Sequence, residues 1–136
     1  MKDALDGLRK VLEAEHAAVY AYGVVGARTG GARRRQATAA FDAHRARRDR
    51  LRELIVARGG TPAEPAPGYD LPFPVRTDED CARLAALIEN RVTAAYLELV
   101  AVDDAALREL AARAMQEGAT RAYRWQPEIA DFPGWK

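Results

Sequence analysis

The sequence predicts an all-α protein, a four-helix bundle with one long proline-rich crossover between helices 2 and 3. Three observations predict it. Ala, Leu, Arg and Glu dominate a chain of 136 residues in which only 7% are aromatic, a composition that favours helix over strand. Apolar residues recur at spacings of three and four in four separate stretches. One segment, Gly60 to Arg76, breaks that pattern and carries Pro62, Pro65, Pro67, Pro72 and Pro74. Residues 1–136 are read as one domain, long enough to bury a core.

Helix 1 is expected over about 3–27, ending at Arg28-Thr29-Gly30-Gly31. Helix 2 follows over about 32–58 and stops at Gly59-Gly60. Thr77-Asp78-Glu79-Asp80 reads as an N-cap with acids in the first turn, opening helix 3 over about 77–102. Asp103 or Asp104 caps helix 4, over about 104–125, and Pro127 discourages its continuation. The aromatics of Phe132-Pro133-Gly134-Trp135 are expected to dock as a tail. The short links inside each helix pair call for antiparallel packing. At roughly 3 Å per residue the proline segment spans about 50 Å, against roughly 40 Å for helix 2, so it can return along the whole bundle.

Composition excludes several function classes. The net charge of +1 gives no global attraction to nucleic acid or anionic membrane. A single cysteine, Cys81, rules out an internal disulfide framework or a Cys-rich zinc site and reads as a small apolar filler. No apolar run approaches the roughly 20 residues of a membrane span, and Met1 to Lys10 lacks the apolar stretch of a signal peptide, so a cytoplasmic protein is expected. Arg33-Arg34-Arg35 and the arginines from Arg45 to Arg52 make helix 2 very basic. No aromatic residues interleave with them, which reads as a solvated surface rather than a nucleic-acid platform.

The chemistry lies in the seams. Leu5, Leu8, Leu12, Glu15, Val19 and Tyr22 share one helix face, and Glu15 is a carboxylate among apolar neighbours. Burying an unpaired charge costs several kcal/mol, so the acid needs a metal, a cation or a proton. His44 shares a face with Phe41, Arg48, Leu51 and Ile55. Glu89 falls among Ala85, Val92, Tyr96 and Leu99, and Glu117 among Leu107, Leu110, Ala114 and Arg121. Each helix thus offers one candidate: Glu15, His44, Glu89 and Glu117. Tyr22 and Tyr96 share faces with the acids and bring hydroxyls within reach of them. Carboxylates and imidazole suit iron, manganese or zinc. Arginine is the alternative counter-charge, and Arg48, Arg91 and Arg121 are its candidates.

One inward Glu per helix, a histidine on helix 2 and a long crossover resemble the ferritin-like superfamily. Ala14-Glu15-His16-Ala17-Ala18-Val19-Tyr20-Ala21-Tyr22-Gly23 resembles the helix 1 motif of an actinobacterial ferritin-like family, a domain of unknown function. His44-Arg45-Ala46-Arg47-Arg48-Asp49 and Gly59-Gly60-Thr61-Pro62 resemble its second helix and exit. The resemblance implies a di-iron ligand set in which two helices each give a Glu and two others each give Glu-x-x-His. Glu15 matches the first Glu and Glu89 the helix 3 Glu. The helix 2 motif is broken, because Phe41 stands three residues before His44, and the helix 4 motif is broken, because Thr120 stands three after Glu117. The one other histidine, His16, is adjacent to Glu15 and points about 100° away.

The expectation is therefore a non-catalytic ferritin-like protein without a cofactor. Its metal centre is replaced by a buried Glu/His/Arg network, with His44 donating to Glu15 or Glu89. Such a chain would act as a binding or assembly module, a homodimer with an unidentified protein or small-molecule partner; a separate reading is a small-ligand binder that holds its ligand in the bundle centre. The alternative is an iron- or manganese-binding oxidase or metal-storage protein using Glu15, His44, Glu89 and Glu117.

Overall fold

The computed structural model describes residues 3–127. Four helices account for most of them, and no strand occurs among the described residues. The tail Phe132–Trp135 lies outside the described residues.

Helix α1, Ala4–Arg28, starts where the Asp3 side chain accepts from the Leu5 N–H at 3.0 Å. Its buried face is the apolar seam, with Leu8, Val11, Leu12, Ala18, Tyr22 and Val25 almost wholly enclosed. Thr29 and Gly30 alone separate it from α2, Gly31–Ala57. Gly31 adopts φ +58°, a left-handed conformation that glycine takes without a Cβ penalty, and this turns the chain sharply. Helix α2 is the most polar of the four and buries only Ala37, Ala40, His44, Leu51 and Ile55. Its end is closed by Gly60 N–H donating to the Ile55 carbonyl at 3.0 Å, with Gly59 at φ +80°.

Helix α3, Asp78–Val100, opens with the expected cap: Asp80 N–H donates to Thr77 Oγ1 while the Asp80 carboxylate accepts from Thr77 N–H, a reciprocal capping box. Helix α4, Ala105–Trp125, is capped by Asp104, which accepts from Leu107 N–H at 3.1 Å. The other oxygen of Asp104 takes Arg58 Nη2 at 2.7 Å, so one carboxylate ties the start of α4 to the end of α2. None of the described helices is long and apolar enough to cross a membrane.

The non-helical segment between α2 and α3 touches α1 at successive levels. Gly60 sits against Leu5, the Ala63 carbonyl accepts from His16 Nε2–H at 2.9 Å, and the Tyr69 ring lies 5.3 Å from that of Tyr20. His16 is thereby buried from outside rather than from the seam. Further on, Val75 is buried and the Arg83 guanidinium stacks 4.1 Å above the Phe73 ring.

Helix α1 packs on α2 and α3, and α3 packs on α4. The α3–α4 approach is close because of Gly118, where an added Cβ would collide with Thr93 Oγ1 and lie 3.4 Å from the Glu89 carbonyl. The fourth side, between α2 and α4, is bridged by side chains, among them Arg47 and Glu117.

Gly118→Ala tests that approach. Overpacking should cost about 1–3 kcal/mol and lower Tm by several degrees, and adding Thr93→Ala should recover part of the loss. A rise in Tm, which an unconstrained helix glycine gives on replacement by alanine, would contradict the close packing.

Candidate functional site: a buried carboxylate–imidazole cluster

Period and packing bring Glu15, His44 and Glu89 together in the centre. Their relative exposures are 1%, 2% and 0%. His44, projecting from α2, stands between the other two: Nδ1–H donates to Glu15 Oε1 on α1 at 2.5 Å, and Nε2–H donates to Glu89 Oε2 on α3 at 2.9 Å. The imidazole thus bonds to both carboxylates, where the sequence offered one or the other.

Tyrosines add a second donor to each carboxylate, while Glu89 Oε1 is buried without a hydrogen bond among the described residues. Tyr96 O–H donates to Glu15 Oε2 at 2.6 Å, and Tyr22 O–H donates to Glu89 Oε2 in a short contact. Trp125 at the end of α4 donates its indole N–H to the Tyr22 oxygen at 3.2 Å. The Tyr22 ring stacks on His44 with centroids 5.4 Å apart and an interplanar angle of 20°. The result is a hydrogen-bonded chain through Trp125, Tyr22, Glu89, His44, Glu15 and Tyr96 that draws on all four helices.

Arginines close the cluster on the α2/α4 side. Arg47 Nη2 binds Glu117 Oε1 at 2.9 Å, and the Arg47 side chain also lies against the Tyr96 hydroxyl. Arg121 reaches both acids, with Nη2 3.7 Å from Glu117 Oε1 and Nη1 3.8 Å from Glu89 Oε1. Three carboxylates (Glu15, Glu89, Glu117) therefore face three cations (His44, Arg47, Arg121). Between them lies a cavity of about 10 Å³, the scale of a single water, lined by Glu15, His44, Arg47, Tyr96, Glu117 and Arg121 among others.

The environment fixes the protonation states. Burial pushes the His44 imidazole down, but the hydrogen bonds to Glu15 and Glu89, reinforced by their charges, outweigh it and push its pKa up to about 9. His44 is an imidazolium at neutral pH and donates from both nitrogens. Burial, then the Glu89 charge and hydrogen bond, hold the Tyr22 phenol far above its usual range; burial and Glu15 do the same to Tyr96. Both tyrosines remain neutral donors.

Two expected network members are elsewhere. Arg48 does not face the acids: its Nε binds Asp49 Oδ1 at 3.2 Å on the surface, because one residue along a helix turns a side chain about 100°. Its neighbour Arg47 takes the role. Arg91 is exposed on α3. Glu117 is less enclosed than the seam pattern implied, with its side chain 45% exposed at the rim of the cluster. Sequence reading missed Arg47 and Trp125. The signals were Arg47 one turn after His44, and Trp125 one turn after Arg121 on the same face of α4. Among the described residues no group of three His, Cys, Asp or Glu side chains is placed to hold a metal ion.

Comparison with known proteins gives the chain a family but no activity. The pattern of a family described as Domain of unknown function (DUF4439) matches residues 7–136. Among solved structures, the chain is similar to the crystal structure of a conserved hypothetical protein from Mycobacterium tuberculosis. The two share 35% sequence identity and a TM-score of 0.87, over 93% of this chain and 97% of that one. No curated protein matches the chain.

The cluster makes two measurable demands. Because the folded pKa of His44 lies above its ordinary 6.5, its stabilisation is complete below pH 6.5 and is lost as pH rises through about 9. The loss is on the order of 3 kcal/mol. Urea unfolding at a series of pH values should show that decline, and the His44 ring should titrate near pH 9 by NMR; a ring midpoint below 6.5 would contradict the buried imidazolium. Tyr96→Phe leaves Glu15 Oε2 without its phenol donor and should cost about 1–3 kcal/mol in the same unfolding assay.

Proposed function

The chain belongs to the DUF4439 family, and from that premise we propose that it is a non-catalytic ferritin-like four-helix bundle whose ancestral metal position is filled by a buried ion network. In this reading residues 60–76 are the long crossover of the bundle. The successive contacts of that segment with Leu5, His16 and Tyr20 along α1 support it. The protein acts by binding, as a homodimeric module with a protein or small-molecule partner. Leu97 and Val100, exposed at 58% and 37% on α3, are apolar surface available for association.

The observation that carries the reading is the imidazole bonded to a carboxylate at both nitrogens. A metal-ligating histidine presents an unprotonated ring nitrogen to the ion and commonly bonds a carboxylate through the other. His44 has neither nitrogen to spare. Phenol and imidazolium donors engage both oxygens of Glu15 and Oε2 of Glu89, and Arg121, 3.8 Å from Glu89 Oε1, and Arg47 supply the remaining positive charge. A pair of metals needs about six protein ligands, and the two Glu-x-x-His motifs that would complete them are absent. The donor set does not fit a di-metal centre.

Elemental analysis after incubation with ferrous or manganous ions and desalting tests the reading. Essentially no retained metal, and no oxidation of ferrous ion above background, are expected. Retention of one or two metal atoms per chain, abolished in Glu15→Ala or His44→Ala, would overturn it in favour of an iron- or manganese-binding protein.

A further inference from the structure

The α2/α4 side differs chemically from the rest of the surface. A cleft of about 460 Å³ runs along α4, lined among the described residues by Arg113, Gln116, Glu117, Thr120, Arg121 and Arg124. A second depression of about 300 Å³ continues it toward α2 and adds Arg47, sharing Arg113 with the first. Both meet the small central cavity, whose wall includes Arg47, Glu117 and Arg121. Arg121 thus lines both the cleft and the central cavity, Arg47 lines the second depression and that cavity, and Arg113 and Arg124 flank them along α4.

The acids present do not use up those donors. Glu109 engages Arg113 at 2.9 Å as an exposed pair one turn apart on the same helix. Glu117 is shared between Arg47 and Arg121 through a single oxygen, Oε1, and its side chain is 45% exposed. Arg47 Nη1 is buried and has no hydrogen-bond acceptor among the described residues. A buried guanidinium N–H without an acceptor is costly, and a forked anion is the acceptor that matches it. The side chain of Glu117 is thus placed as an internal carboxylate on a pair of arginines, at the mouth of a cleft wide enough for a second anion.

We propose that the mouth of this cleft binds a small molecule through an oxyanion, a phosphoryl or carboxylate group held by Arg47 and Arg121 with the rest of the ligand running along α4 past Arg113 and Arg124, and that Glu117 occupies the arginine pair until the ligand displaces it. Gln116 and Thr120 supply neutral hydrogen-bonding groups on the same wall. The proposal rests on the reading of the chain as a binding module, and it gives that module a ligand class.

Calorimetric titration of the full chain with inorganic pyrophosphate and, separately, succinate tests it, at constant ionic strength set with sodium chloride. Saturable binding is expected. The exposed-site changes Arg113→Ala and Arg124→Ala, which leave the buried cluster intact, should weaken it about tenfold or more. Glu117→Gln removes the competing charge and should tighten it several-fold. Preference for pyrophosphate assigns a phosphoryl ligand, and preference for succinate a carboxylate. Absence of saturable binding up to about 10 mM in both the parent chain and Glu117→Gln would overturn the proposal, as would binding indifferent to the arginine changes. Metal retention is read through Glu15→Ala and His44→Ala and anion binding through Arg113→Ala and Arg124→Ala, residues the two sites do not share, so failure of one is distinguishable from failure of the other.

Discussion

A protonated imidazole held between two buried carboxylates is what the four helices are arranged around. Enclosing Glu15 and Glu89 as carboxylates at 1% and 0% exposure is costly, and that cost is offset by the cation between them. His44 supplies it from the one helix that has little else to bury. With only two alanines, a leucine and an isoleucine beside the histidine, α2 lacks the wide apolar stripe that anchors an ordinary helix. Its attachment therefore leans on electrostatics more than that of its neighbours. The tyrosines follow from the same constraint: buried acids call for further donors, and a phenol that stays neutral is a suitable one, given to Glu15 Oε2 by Tyr96 and to Glu89 Oε2 by Tyr22.

The two sides of α4 show how side-chain size sets helix spacing. Toward α3 the contact surface is Ala111, Ala114 and Gly118, and the backbones come close. Toward α2 the same helix presents Arg113, Glu117 and Arg121, which meet Arg47. Long polar side chains hold those helices apart and leave the cleft. The polar cluster is thus closed on the side where residues are small and reaches solvent on the side where they are large.

The helical architecture and the heart of the cluster were legible because both follow from period. Positions at three and four put Glu15, Glu89, Tyr22 and Tyr96 on the same faces as leucines and valines, and burial of those faces followed. The cations were harder. Helix 2 carries arginine at 45, 47, 48, 50 and 52, so its apolar pattern is too sparse to fix which arginine turns inward. Arg47 and Arg48 stand three and four residues after His44 and about 100° apart around the helix, and only a richer apolar stripe distinguishes which of them faces inward. Glu117 was placed too deep for the related reason that α4 alternates small apolar and charged residues. The burial of His16 was illegible because its partner is a backbone carbonyl of a segment with no period at all. The match to the DUF4439 pattern agrees with the domain-of-unknown-function resemblance carried by the helix 1 motif.

The charges of the cluster are not balanced within either half of the chain. The hairpin of α1 and α2 brings one carboxylate, Glu15, and two cations, His44 and Arg47. The hairpin of α3 and α4 brings two carboxylates, Glu89 and Glu117, and one cation, Arg121. Separated at the proline segment, the first would carry a surplus positive charge on its inner face and the second a surplus negative one. Each half is thus disfavoured as a partner for its own kind and matched to the other. The same ions that make the core costly to bury act as a key that keeps two like hairpins from pairing.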